Sequence, residues 1–300
     1  MTIKEKLKYI HLNWLLYVFL IPGLIYFILF RLWPIFEMKL AFQDYRIIED
    51  NVWAGLKNFR VLFSSSAFMN VLRNTIIISS MKIFFVFPIP ILLSFLLQSN
   101  PFVRLKKAVQ SFVYLPHFLS WVVIAGIWIN LLSPSTGGVN QILTFFHFPA
   151  VDFMTSKGAI RWVLVFSEMW RSAGWDCIIY LAAMMKISPA LYEAAYMDGA
   201  SSWQQTFHIT LPQLRNTIIT VFILNLGFFM NAGFDQVFNL MNNSVISVVD
   251  ILDTYVYRIG LQNGQYAIAT AASLFKGLIG MVLILGTHFA SKKITGKGVW

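Results

Sequence analysis

A chain of 300 residues that is 58% hydrophobic and only 12% charged lies far below the ~25% charge of soluble domains; this excludes an ordinary globular enzyme and points to a polytopic membrane protein. The net charge of +10 calls for no nucleic-acid partner, because the basic residues sit in or beside apolar runs (Arg31, Lys82, Arg161, Arg171, Lys276) or in loops, where they orient a membrane protein. The lone Cys177 excludes a disulfide framework, and His11, His117, His147, His208 and His288 are too scattered for a metal site.

About 20 apolar residues are needed to cross roughly 30 Å of hydrocarbon as a helix. Six runs meet that length, at 13–35, 74–97, 111–132, 160–184, 216–238 and 266–290. The expected fold is therefore all-α: a six-helix transmembrane bundle forming one domain over 13–300, after a cytoplasmic segment 1–12. Lys4, Lys6 and Lys8 precede the first run, which is too long for a signal-peptide core and lacks a small-x-small cleavage site, so it is read as a retained helix. Residues 36–73 are too mixed for a span and form an outer segment. Pro88 and Pro90 interrupt the second run, a break that membrane bundles tolerate where neighbours or cavities satisfy the backbone. A basic turn at Asn100-Pro101 (Arg104, Lys106, Lys107) leads to the third run. The outer segments 133–159 and 240–264 are polar and contain glycine, which suits contact with a partner outside the membrane. Basic residues in the loop 185–215 (Lys186, Arg215) and the tail (Lys292, Lys293, Lys297) put both termini and that loop in the cytoplasm.

Within that loop, Glu193–Pro212 reads as two short helices joined by a sharp turn. Ser188-Pro189 supplies a cap and a first-turn proline. Gly199 can leave the helix with positive φ, Ser201 or Ser202 can cap the next helix, and Pro212 is expected to stop it. Leu191, Ala194, Ala195, Trp203 and Phe207 form an apolar seat beside Glu193 and Asp198. Such a knob is either a docking element or a plain interfacial loop.

The order Glu193-Ala-Ala, Asp198-Gly-Ala and Ile209-Thr-Leu-Pro resembles, without a gap, the EAA loop of ABC importer permeases. Tyr114-Leu-Pro-His-Phe-Leu-Ser120, Trp203-Gln-Gln and the run Asp253–Tyr266 extend the likeness to the polysaccharide and oligosaccharide permease group (LplB-like), related to the maltose-type permeases. The resemblance implies a type I ABC importer permease fold in a bacterial cytoplasmic membrane. It implies that the loop at 186–215 is a coupling helix for a cytoplasmic ATPase, with Glu193, Ala194, Ala195, Asp198, Gly199, Ala200, Ile209, Leu211 and Pro212 as the coupling positions. The implied partners are a second homologous permease, two ATPase subunits and an extracellular or periplasmic sugar-binding protein. No Gly-x-x-x-x-Gly-Lys-Ser/Thr motif is present, so this chain carries no cofactor, and ATP and magnesium would be bound by the ATPases.

Charged groups inside spans are costly and usually face a bundle interior or a watery cavity. Glu168, Arg171, Ser172 and Trp175 share one helical face and combine hydrogen-bonding groups with an aromatic plane, as sugar binding requires. The alternative is an internal Glu168–Arg171 ion pair. Counted by helical rise, these residues share a level with Trp121 on the third span, Asn225 on the fifth and Lys276 on the sixth, so a central cavity is expected. Counting from the family's landmarks, the resemblance assigns sugar-contacting positions to Glu168, Arg171, Ser172, Trp175, Asn225, Phe229, Asn231, His117 and Trp121. Charges at 168 and 171 depart from the maltose-type pattern, and Arg171 and His117 suit an acidic or amino-sugar oligosaccharide. Lys82 and Lys276 read as structural partners of Glu168, Asp176 or Asp235. Two other functions compete with the importer. A membrane enzyme using Glu168 and His117 lacks a nucleophile, metal or cofactor motif, and a secondary transporter lacks inverted halves.

Overall fold

Capping side chains and prolines set several of the starts and breaks of the membrane segments in the computed structural model. It describes residue 9 and residues 11–99 and 102–295. Lys4, Lys6, Lys8, Asn100-Pro101 and Lys297 therefore lie outside the described residues. Helix α1 (Trp14–Phe42) runs further than expected, and none of its apolar window is buried within the chain. A two-stranded antiparallel hairpin, β1 (Gln43–Asp44) with β2 (Val52–Trp53), and helix α2 (Lys57–Ser64) fill the first outer segment. Ser65 caps helix α3 (Ser66–Phe85) by accepting from the Phe68 amide, so the second span starts eight residues before the expected 74. It breaks ahead of Pro88 and resumes as α4 (Pro88–Ser99).

The third run is not one straight span. After α5 (Val103–Tyr114), a 3-10 turn holds Pro116, Ser120 caps α6 (Trp121–Leu131), and the chain bends by 107°. Helix α7 (Gly138–Phe145) crosses the second outer segment, and α8 (Ile160–Met184) matches the expected fourth span at both ends. The chain then turns by 77° into α9 (Pro189–Met197).

Pro212 does not stop the following helix. Helix α10 (Ser202–Gln205) passes through a π-turn at Thr206–Thr210 into α11 (Leu211–Gly227). The wider turn, in which Leu211 donates to the Thr206 carbonyl, lets the backbone carry a proline that lacks an amide and would crowd a regular turn. The fifth span ends at Gly227, not at 238: residues 228–230 form a turn, and Gly233 (φ +96°) stands at the N-cap of α12 (Phe234–Leu240). Among the described residues, three helices are long and apolar enough to span alone, or up to five if each bent pair is one span. The expected run not among these five is the one at 216–238, whose helix Leu211–Gly227 has only 17 residues.

The segment 240–264 is partly core, with Asn243, Ser244, Ser247 and residues 261–264 left exposed. Helices α13 (Ile246–Val249) and α14 (Leu252–Tyr257) place Val245, Val249, Ile251, Leu252 and Thr254 at 1% exposure or less. Polar bonds hold the segment down. Asn70 and Asn74 donate to the Ser247 carbonyl, Arg161 donates to Asn74 and to the Val248 carbonyl, and the Leu252 amide donates to Thr75 Oγ1. Helix α15 (Tyr266–Thr295) completes the bundle.

Candidate functional site

A cavity of about 500 Å³ lies among the breaks in these helices. The α3–α4 break contributes Ser79, Lys82, Val86 and Pro90, α6 gives Trp121, and α8 gives Glu168, Ser172, Asp176 and Tyr180. The end of α11 and its turn give Asn225, Phe228, Phe229, Asn231 and Gly233. Six expected residues, Trp121, Glu168, Ser172, Asn225, Phe229 and Asn231, thus meet on one wall system.

Arg171, His117 and Trp175 are not part of the lining but join it through Trp121. The Arg171 guanidinium lies 5.1 Å from the Trp121 ring centre and donates to the His117 carbonyl at 3.4 Å, and His117 stacks on Trp175 at 4.4 Å. The cluster ties the bend between α5 and α6 to α8. Arg171 Nε and His117 Nδ1 are buried without a hydrogen-bond partner, whereas buried polar atoms normally have one.

The alternative reading, a Glu168–Arg171 ion pair, is not formed. Glu168 accepts from Lys82 Nζ at 3.0 Å, and the same ammonium donates to the Ala232 carbonyl at 2.7 Å and Gln236 Oε1 at 2.5 Å. Gln236 Nε2 donates in turn to the Leu164 carbonyl and Ser167 Oγ. Lys82 thereby knots α3, α8 and the turn before α12 together, as the partner of Glu168 that its charge implied. Lys276 lies away from the cavity and pairs with Asp253, which was not among its expected partners. Polar groups therefore converge from the second to the fifth spans, not from the third to the sixth. Two charged residues of the lining were missed as site residues. Asp176 stands eight residues after Glu168, on the same helical face, and Lys82 was read as structural only. Asn231 stands past the end of α11 at Gly227, so no helical angle separates it from Asn225.

At the other end of α8, the loop forms an elbow. Gly199 turns the chain at φ +77°, and Ser201 and Gln204 form a reciprocal capping box. Tyr192 hydrogen-bonds Thr210 across the two arms at 2.9 Å. Ala195, Asp198, Gly199, Ala200 and Ile209 gather around a notch of about 290 Å³ with Gln204 and His208. Glu193 and Ala194 are exposed on α9, and Leu211 and Pro212 lead into the span. Trp203 and Phe207 stack 6.0 Å apart and are 70% and 56% exposed, alongside Tyr196 at 75% and Met197 at 84%, which were not singled out from the sequence. Large apolar groups presented this openly mark a contact surface.

The family model for the inner membrane component of binding-protein-dependent transport systems matches residues 88–294. The chain belongs to this family. It is 38% identical to the polygalacturonan/rhamnogalacturonan transport system permease protein YteP of Bacillus subtilis (strain 168), over 95% of this chain and 90% of that one. It is 37% identical to protein LplB of the same organism, over 95% and 91%. Among solved structures, a permease chain in the crystal structure of a bacterial alginate ABC transporter, in complex with an alginate pentasaccharide-bound periplasmic protein, superposes with a TM-score of 0.89. The two are 39% identical over 97% of this chain and 98% of the other. This permease is therefore a multi-pass membrane subunit with the type I fold, and it has no catalytic site of its own. It works in a binding-protein-dependent ABC importer.

Proposed function

We propose that this permease forms one half of the path for an acidic oligosaccharide, delivered by an extracellular or periplasmic binding protein. A second, homologous permease supplies the other half. Two ATPase subunits, which hold ATP and magnesium, dock on the elbow at 186–215 from the cytoplasm, where both termini also lie. The carrying observation is the Arg171 cluster. Its guanidinium takes part in none of the described ion pairs, has a free Nε, and lies over a tryptophan that lines the cavity. A planar guanidinium suits a carboxylate, and the Trp121 plane suits the apolar face of a sugar ring. Lys82 already neutralises Glu168, so Arg171 is the cation left for a uronate. The polygalacturonan permease and the alginate importer among its relatives support this substrate class.

Uptake of labelled oligogalacturonate and of a neutral oligomer of equal length, by the assembled importer in liposomes, tests the reading. Wild type is expected to prefer the uronate, and Arg171→Gln to lose that preference. Equal uptake of both oligomers by wild type would overturn it. Gly199→Trp and Glu193→Ala test the elbow: both are expected to abolish copurification of the ATPase while the permease stays in the membrane.

A further inference from the structure

Helix α7 lies at the outer end of α8, and its three faces differ in chemistry. The inner face is locked. Val139 packs on the core cluster that contains Leu132 and Ile160. The Asn140 amide, 2% exposed, donates to the carbonyls of Leu132, Ser133 and Val151, and its oxygen accepts from the Val151 amide. Gly137 makes this turn feasible, because a Cβ there would lie 2.5 Å from the carbonyl oxygens of Leu131 and Ser133.

At about 100° per residue, Ile142, Phe145 and Phe146 form a stripe on one side of that locked face, and Gln141 and Thr144 form a polar stripe beyond it. The apolar stripe is open. Ile142 is 61% exposed, Phe145 78% and Phe146 64%, and Phe148 just past the helix adds 61%. The molecule thus uses a rigid, hydrogen-bonded mount to present four large apolar side chains, which calls for something that covers them.

Charge and position identify the cover. No Asp, Glu, Lys or Arg occurs between 108 and 151, so the surface offers a soluble protein no charge for steering or register. Val139 of the same helix also lines an apolar groove with Ile127, Leu131, Trp162 and Phe166 on the flanks of α6 and α8. The inner face of α7 therefore borders the apolar flank of membrane helices, and the open stripe stands beside it on the same short helix.

We propose that α7 is an interfacial anchor that lies in the plane of the outer leaflet. Ile142, Phe145, Phe146 and Phe148 enter the acyl chains, Gln141 and Thr144 face water, and the helix holds the outer ends of α6 and α8 at headgroup level. The partner is phospholipid, recognised by apolar burial. The proposal rests on membership of a membrane family and is independent of the substrate.

Spin labels on Phe145→Cys and, as a second variant, Phe148→Cys in the assembled importer in liposomes test it, with Ser135→Cys as the water-facing reference. Cys177 is fully buried and does not compete for label. The expected result is that molecular oxygen relaxes the labels at 145 and 148 more than an aqueous nickel chelate does, with the order reversed at 135. Access of nickel to 145 and 148 equal to that at 135 would overturn the proposal. So would protection that appears only when the binding protein is added, or exclusion of both reagents, which would place the stripe against another permease.

Discussion

Replacing Lys82 by methionine keeps the length of the side chain and removes the three bonds that knot α3, α8 and the turn before α12. The lost partners are the Glu168 carboxylate at 3.0 Å, the Ala232 carbonyl at 2.7 Å and Gln236 Oε1 at 2.5 Å. Hydrogen bonds to charged groups contribute about 1.5–3 kcal/mol each, and breaking a buried ion pair costs about 3–5 kcal/mol. The side chains here are 15% and 21% exposed, and they border a cavity that can admit water to the orphaned carboxylate. The expected loss is therefore about 2–4 kcal/mol. Most of that loss comes from stranding Glu168, so Lys82→Met combined with Glu168→Gln is expected to recover about 1–2 kcal/mol of it. Equilibrium unfolding of the purified permease in mixed micelles, across wild type, both single variants and the double variant, reads this directly. A single-variant cost below about 0.5 kcal/mol, or a double variant no more stable than Lys82→Met, would refute the reasoning; the bounds come from the same scale.

Three further outcomes are expected. Gly174→Ala puts a Cβ 2.0 Å from the Val113 carbonyl oxygen, so α5 and α8 must separate; the cost is at least about 1–3 kcal/mol, read as a lowered Tm, and an unchanged Tm would contradict the close crossing. Gly199→Ala meets no neighbour within 4 Å but must keep φ +77°, costing about 1 kcal/mol; faster proteolysis of 198–205 with an unchanged global Tm is the expected signature. The Lys57 hydrogen bond, followed by its charge, holds Asp44 below the ordinary aspartate value of 3.8. A depressed folded pKa means that its contribution is complete above that value and fades as pH falls through the lower one. Amide exchange in the β1–β2 hairpin should therefore accelerate only in acid below 3.8, and Lys57→Met should remove that step; an identical pH profile in the variant would count against it.

Signals that act over a few residues were legible in the chain. Apolar run length located α8 at both ends, the proline pair located the α3–α4 break, and Gly199 with Ser201 located the elbow. Helical periodicity put Glu168 and Ser172 on one face, and both line the cavity. Where one local rule met another, the reading failed. Pro212 signals a stop, yet a π-turn absorbs it. The residues after Gly227 continue an apolar run, yet a turn at 228–230 and Gly233 at φ +96° break the helix there.

Contacts between distant parts of the chain were decided only by the tertiary structure. Lys82 and Gln236 are 154 positions apart, and Thr75 and Leu252 are 177 apart. Nothing in the spacing of either residue names the other. Charge alone gave Lys82 and Lys276 the same reading, but one borders the cavity and the other pairs with Asp253. By itself the amino-acid order determined which segments are helical, where they are capped and which faces are apolar, because caps, prolines and periodicity act within about one or two turns. The packed bundle decided which faces meet, which spans wall the cavity and which charge is left without a partner, because those depend on how helices cross and bend.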